Sequence, residues 1–73
     1  MKKNVNNGVK ELRKKMEYTQ KQLAEEVGVT RLTIISIEKG RYEPSIGIAL
    51  HLARTLNCKV EDIFWIGEDQ DED

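Results

Sequence analysis

Apolar side chains recur along this chain at spacings of three and four, the period of helices that bury one face. Val9, Leu12 and Met16 begin the pattern and predict a first helix over residues 9–17. Thr19-Gln20-Lys21-Gln22 has the form of a capping box, in which the Thr19 hydroxyl and the Gln22 side chain satisfy each other's backbone donors. A second helix therefore starts at Gln20 and runs through Leu23, Ala24 and Val27. Gly28 ends it, taking the left-handed conformation at no steric cost. Thr30 caps a third helix over 31–39, which Gly40 stops in the same way. Pro44 pushes its predecessor out of the helical region, so Arg41-Tyr42-Glu43-Pro44 is a loop. Ser45 caps a fourth helix with Ile46, Ala49, Leu50, Ala53 and Leu56 on one face, and a short turn leads to a brief fifth helix over 60–66. No segment alternates with period two for long. The expected fold is all-α, five helices joined by short turns.

The ends of the chain break the pattern. Residues 1–8 are polar and Asn-rich and are expected to form a flexible arm. Residues 67–73 finish in Glu-Asp-Gln-Asp-Glu-Asp, with no apolar content, and are expected to be a disordered acidic tail. That leaves one domain over 9–66. With 73 residues there is room for one small core, and domains of this size bury only about 60% of their unfolded surface. No apolar run approaches the ~20 residues of a membrane span, and no signal-peptide stretch opens the chain. Cys58 is the single cysteine and has no partner for an intrachain disulfide, so a cytoplasmic address is expected.

Charge sharpens the picture. Twelve Lys and Arg stand against thirteen Asp and Glu, for a net charge of −1 and a pI near 5.8. At face value that argues against nucleic acid, whose binders are usually basic. The distribution reverses the argument. Residues 1–42 carry ten bases and five acids, a net +5, whereas residues 43–73 carry two bases and eight acids, a net −6. Without the last six residues the rest of the chain comes to +4. The tail is expected to compete with DNA for the basic face, or to repel nonspecific duplex, and so to trim sequence-independent affinity.

The second and third helices carry the most specific signal. A small residue at Ala24, the Gly28 turn and the apolar anchors Val29, Ile34 and Ile37 let two helices cross closely at a steep angle. That is the helix-turn-helix arrangement, whose second helix can enter the DNA major groove. At about 100° per residue, Ile34, Ile37 and Glu38 share one side of the third helix, with Leu32, Ser36 and Lys39 opposite and Thr33 and Ile35 flanking. Arg31 sits at the N-terminal end, where its planar fork suits bidentate pairing with guanine. Thr33 and Ser36 can hydrogen-bond bases or phosphates. Leu32 and Ile35 can meet thymine methyls or form a protein-contact patch. Glu38 lies among core residues, and so does Arg13 on the first helix, beside Val9, Leu12 and Met16. Two opposite charges pointing into apolar surroundings predict a partly buried Arg13–Glu38 ion pair locking the first helix to the third.

The run from Gln20 to Arg31, then Thr33-Ile34-Ile35-Ser36-Ile37-Glu38-Lys39-Gly40 and Pro44-Ser45, closely resembles the Xre/Cro–repressor (lambda-repressor-like) helix-turn-helix family. The resemblance extends over residues 9–64, about three quarters of the chain, and includes the family's first-helix arginine at Arg13. It implies a five-helix domain that binds double-stranded operator DNA as a two-fold homodimer and regulates transcription, with repression the expected mode. Gln20 matches a phosphate-contacting position that also braces the recognition helix, with Thr19 and Lys21 beside it. Thr30, Arg31, Thr33 and Ser36 match groove-facing positions, and Lys39, Arg41 and Tyr42 match the loop that touches the backbone. Leu32 departs from the frequent glutamine of relatives, which removes one adenine-reading amide.

Dimeric readers span half-sites about 34 Å apart. Phe64, Trp65 and Ile66 are consecutive, and one short helix cannot bury all three. Phe64 is expected in the core, leaving Trp65 and Ile66 for a partner copy or for the edge of their own fold, with Ile48 a weaker candidate. His51 stands alone, opposite the apolar stripe, and Cys58 has no clustered His or second Cys, so no metal, no cofactor and no enzymatic site is expected. No small-molecule ligand and no membrane are implied. Two other uses of the fold remain open: an antitoxin, and a protein-interaction module that has given up DNA.

Overall fold

The computed structural model describes residues 3–68. The order is β1 (Lys3–Asn7), α1 (Val9–Lys15), α2 (Gln20–Val27), α3 (Arg31–Glu38), α4 (Ile46–Thr55), α5 (Val60–Ile63) and β2 (Phe64–Glu68). The caps read from the sequence are made. Thr19 and Gln22 form the reciprocal box, with the Gln22 amide donating to Thr19 Oγ1 at 3.0 Å and the Thr19 amide donating to Gln22 Oε1 at 2.9 Å. Ser45 Oγ accepts from the Ile48 amide at 3.2 Å and starts α4. Gly28 closes α2 at φ +88°, a left-handed backbone that a side chain would strain.

Val9, Leu23, Ile34, Ile37, Leu52 and Ile63 are wholly buried and come from all five helices. Each such side chain contributes on the order of 1.5–3 kcal/mol by leaving water. Ala24, 2% exposed, sits at the α2–α3 crossing, where a larger side chain would push the helices apart.

The ends differ from expectation. Residues 3–7, expected within a flexible arm, form a strand that pairs antiparallel with Phe64–Glu68. The register sets Asn7 opposite Phe64, Asn6 opposite Trp65 and Val5 opposite Ile66. Helix α5 accordingly stops at Ile63, and Phe64, Trp65 and Ile66 are extended rather than helical. Gly67 and Glu68, expected in the tail, complete the second strand; the remainder of the tail and residues 1–2 lie outside the described residues. A helical period is invisible in five residues of strand, and an Asn-rich segment has little strand propensity of its own. The pairing joins the two ends of the chain, a contact that no local pattern announces.

Two apolar stripes also differ. Met16 is 43% exposed although it continues the spacing of α1. In α4 the buried residues are Ala49, Leu52 and Ala53, continued by Leu56, while Ile46 and Leu50 face outward at 71% and 55% exposure. Ile48, set aside as an outward-facing candidate for a partner, packs against the core instead. Six of the ten α4 positions are apolar, with Ile46, Ile48 and Leu50 alternating beside Ala49, Leu52 and Ala53, so periodicity leaves its rotation open and packing chooses it.

Candidate nucleic-acid interface

The turn between α2 and α3 is tight because Ala24 O accepts from both the Gly28 and the Val29 amides, at 2.8 and 2.9 Å. Thr30 then caps α3, its Oγ1 accepting from the Thr33 amide at 3.2 Å. Its hydroxyl also lies 3.0 Å from that of Thr33, so the two groove-facing candidates engage each other. With Ile34 and Ile37 buried, the opposite side of α3 must face out. Leu32 is 74% exposed, Arg31 is exposed, and Thr33 and Ser36 are half-buried. Leu32, Thr33 and Ser36 line one shallow depression together with Tyr42 from the α3–α4 loop.

Arg13 and Glu38 meet. Arg13 Nε donates to Glu38 Oε2 at 2.7 Å, with the two side chains 9% and 4% exposed. A second guanidinium nitrogen donates to Oε1 at 3.4 Å, and the third to the Tyr18 carbonyl at 3.0 Å. Gln20 joins this cluster, its Nε2 donating to Glu38 Oε1 at 3.1 Å. A single carboxylate on α3 is thus held from α1 and from the first residue of α2. The recognition helix is tied at its C-terminal end to both helices behind it, and Gln20 retains a second amide N–H.

Around this brace the surface is cationic. Thr19, Gln20, Lys21 and Arg31 line a cleft together with Lys10 and Lys14 of α1. A second cleft beside it brings Lys10 and Gln20 next to Ile35, Lys39 and the Arg13-paired Glu38. Arg41 and Tyr42 are exposed on the loop that follows. Lys10 and Lys14 were not singled out in the sequence, although their four-residue spacing on the helix that carries Arg13 puts them on one face. His51 is exposed, and among the described residues no group of three His, Cys, Asp or Glu is placed to hold a metal ion. No described helix is long and apolar enough to cross a membrane.

A helix-turn-helix family model matches residues 9–63. The chain belongs to the Xre-like helix-turn-helix family. It is a transcriptional regulator with the fold of DNA-binding domains. The regulator is 49% identical over 63 residues to the HTH-type transcriptional regulator YgzD of Bacillus subtilis (strain 168), covering 86% of this chain and 96% of that protein. It is 34% identical over 67 residues to the competence pilus inhibition repressor of Acinetobacter baylyi, covering 92% of this chain and 61% of the repressor. Its fold matches the N-terminal DNA-binding domain of SinR from Bacillus subtilis with a TM-score of 0.68 at 31% identity, over 73% of this chain and 78% of that one. Both ribbon strands fall outside the residues that the family model covers.

Proposed function

We propose that this regulator binds a specific double-stranded operator in the cytoplasm as a homodimer and represses by occupying it. Its action is binding rather than catalysis. In this reading α3 lies in the major groove with Thr30, Arg31, Leu32, Thr33 and Ser36 toward the bases. Thr19, Gln20, Lys21, Lys39, Arg41 and Tyr42 hold the backbone on either side. The observation that carries the reading is the composition of one face. Leu32, Thr33 and Ser36 share an outward depression with Tyr42, and Arg31, next to Leu32 in the chain, lines the cationic cleft. A hydroxyl-bearing, partly apolar strip flanked by cations suits base edges between two phosphate backbones. Repression is also the action for which the Acinetobacter relative, a competence pilus inhibition repressor, is named.

The dimer rests on the ribbon. Trp65 is 47% and Ile66 66% exposed, and Val5 lies directly across from Ile66. Trp65 also covers part of its own fold, since a Cβ placed on Gly8 would lie 3.7 Å from its ring. Its remaining surface, with Ile66, is the interface assigned to the partner copy.

The test is selection of bound sequences from a random duplex library, followed by affinity measurements on the best site. Enrichment of a two-fold symmetric site is expected. Arg31→Ala should cost about 1–3 kcal/mol on that site and relax preference at one base position. A flat selection with no preferred sequence overturns the reading.

A further inference from the structure

Asn7 is the one asparagine of this chain that precedes a glycine; Asn4, Asn6 and Asn57 precede Val, Asn and Cys. An Asn-Gly pair carries a chemistry of its own. Glycine has no side chain to block the approach of its amide, so the Gly8 nitrogen can attack the Asn7 side-chain carbonyl carbon. The new N–C bond closes a five-membered succinimide, and the side-chain nitrogen leaves with the amide proton as ammonia. Water then opens the ring at either carbonyl. One product is an aspartate, and the other is an isoaspartate whose main chain runs through the former side chain. The reaction consumes only water.

The fold restrains every group that this reaction uses. The nucleophile, Gly8 N, donates to Ile63 O at 2.8 Å. The leaving nitrogen, Asn7 Nδ2, donates to Ile37 O at 2.9 Å, while Oδ1 accepts from the Val9 amide at 3.1 Å. Asn7 also ends β1 in extended backbone opposite Phe64, whereas ring closure needs the chain to turn until Gly8 N reaches the side chain. The Trp65 ring covers Gly8, 3.7 Å from where a Cβ would stand. We propose that Asn7–Gly8 is a self-modification site gated by the ribbon: it deamidates only when β1 lifts off, and conversion then permanently removes the tie from β1 to α3. Either product puts a carboxylate oxygen where the donor to Ile37 O stood, and a carboxylate only accepts. The isoaspartate also adds one carbon to the main chain just before the wholly buried Val9, so the strand register and the start of α1 cannot both be kept. The glycine itself is not demanded by the fold. Its φ of −114° is open to other residues, and a Cβ there would make only ordinary contacts. A substitution at Gly8 can therefore separate the chemistry from the packing. This inference goes beyond the DNA-binding reading and does not depend on it.

The test is incubation of the full chain at mildly alkaline pH, in buffer and in denaturant. Conversion at residue 7 is read by peptide mass spectrometry and by enzymatic methylation of isoaspartate. Three hydrogen bonds must open together, which should slow conversion in buffer roughly a hundredfold relative to denaturant. Gly8→Ala should suppress conversion in both conditions. Trp65→Ala, which uncovers Gly8, should speed conversion in buffer and leave the rate in denaturant unchanged. Circular dichroism checks that both variants remain folded, and the comparison of buffer with denaturant needs only the wild type. The converted chain, separated by its added negative charge, should melt below the unconverted one. Equal wild-type rates in buffer and denaturant overturn the gate. Conversion in denaturant at Asn4, Asn6 or Asn57 as fast as at Asn7 overturns the site. A converted chain that melts with the unconverted one overturns the lost tie.

Discussion

Asn7, in the strand that opens the chain, donates from Nδ2 to the backbone carbonyl of Ile37 in the recognition helix at 2.9 Å, across thirty residues. Its Oδ1 accepts from the Val9 amide at 3.1 Å, so one side chain satisfies the first amide of α1 and ties the ribbon to the last turn of α3. Anything that moves the ribbon therefore acts on the helix offered to DNA.

Asn7→Ala removes both bonds at a partly buried site. The expected loss is about 1–2 kcal/mol, in the range of a lost cap and a lost side-chain hydrogen bond. In a domain of this size that lowers Tm by roughly 4–16 °C, which a thermal melt reads directly. Asn7→Asp, which keeps only the acceptor, should fall between alanine and the wild type.

Glu38→Ala leaves the Arg13 guanidinium buried with only the Tyr18 carbonyl, and Gln20 without its partner. The expected cost is on the order of 3 kcal/mol. Replacing both members by apolar residues, Arg13→Met with Glu38→Leu, should recover much of it, because the penalty lies in the stranded charge more than in the lost attraction. A denaturation series over the wild type, Arg13→Met, Glu38→Leu and the double variant measures the coupling; additive losses in that cycle would contradict a paired charge.

Ile66→Glu puts a charge into the exposed end of the ribbon without touching the core. Sedimentation equilibrium should find the wild type dimeric and the variant monomeric, with DNA affinity falling as half-sites are no longer bound together. A monomeric wild type at high concentration would remove the dimer.

Truncation after Glu68 preserves the ribbon and removes most of the acidic tail. Nonspecific duplex binding should tighten at low salt and converge with the wild type as salt rises, since the tail acts through charge. An unchanged salt titration would reduce the tail to an aid to solubility.

Burial pushes the Cys58 thiol above its ordinary value, and the Asp62 carboxylate adds to the shift. The thiolate is the reactive form, so alkylation near pH 8 should be slower in the folded chain than in denaturant. Asp62→Asn should bring the rate up and move the pH profile of labelling downward.

The helices and their caps were legible because each depends on neighbours within four residues: Thr19 with Gln22, Gly28 after Val27, Ser45 before Ile48. The Arg13–Glu38 pair was legible too, since two charges on apolar faces must find each other or stay unsatisfied. Much less could be read where distant segments decide. Asn-rich residues 3–7 have no strand signal until Phe64–Glu68 lies alongside them, and the apolar residues of α4 spread over more than one face until packing turns Leu52 inward and Leu50 outward. Lys10 and Lys14 read as ordinary surface lysines until the α1–α2 connection folds Lys21 and Arg31 against them. The sequence by itself determined five capped helices, the helix-turn-helix crossing and its charged brace. Only the tertiary structure decided the ribbon, the rotation of α4 and the cationic cleft, because each is a meeting of segments whose local energies leave the choice open.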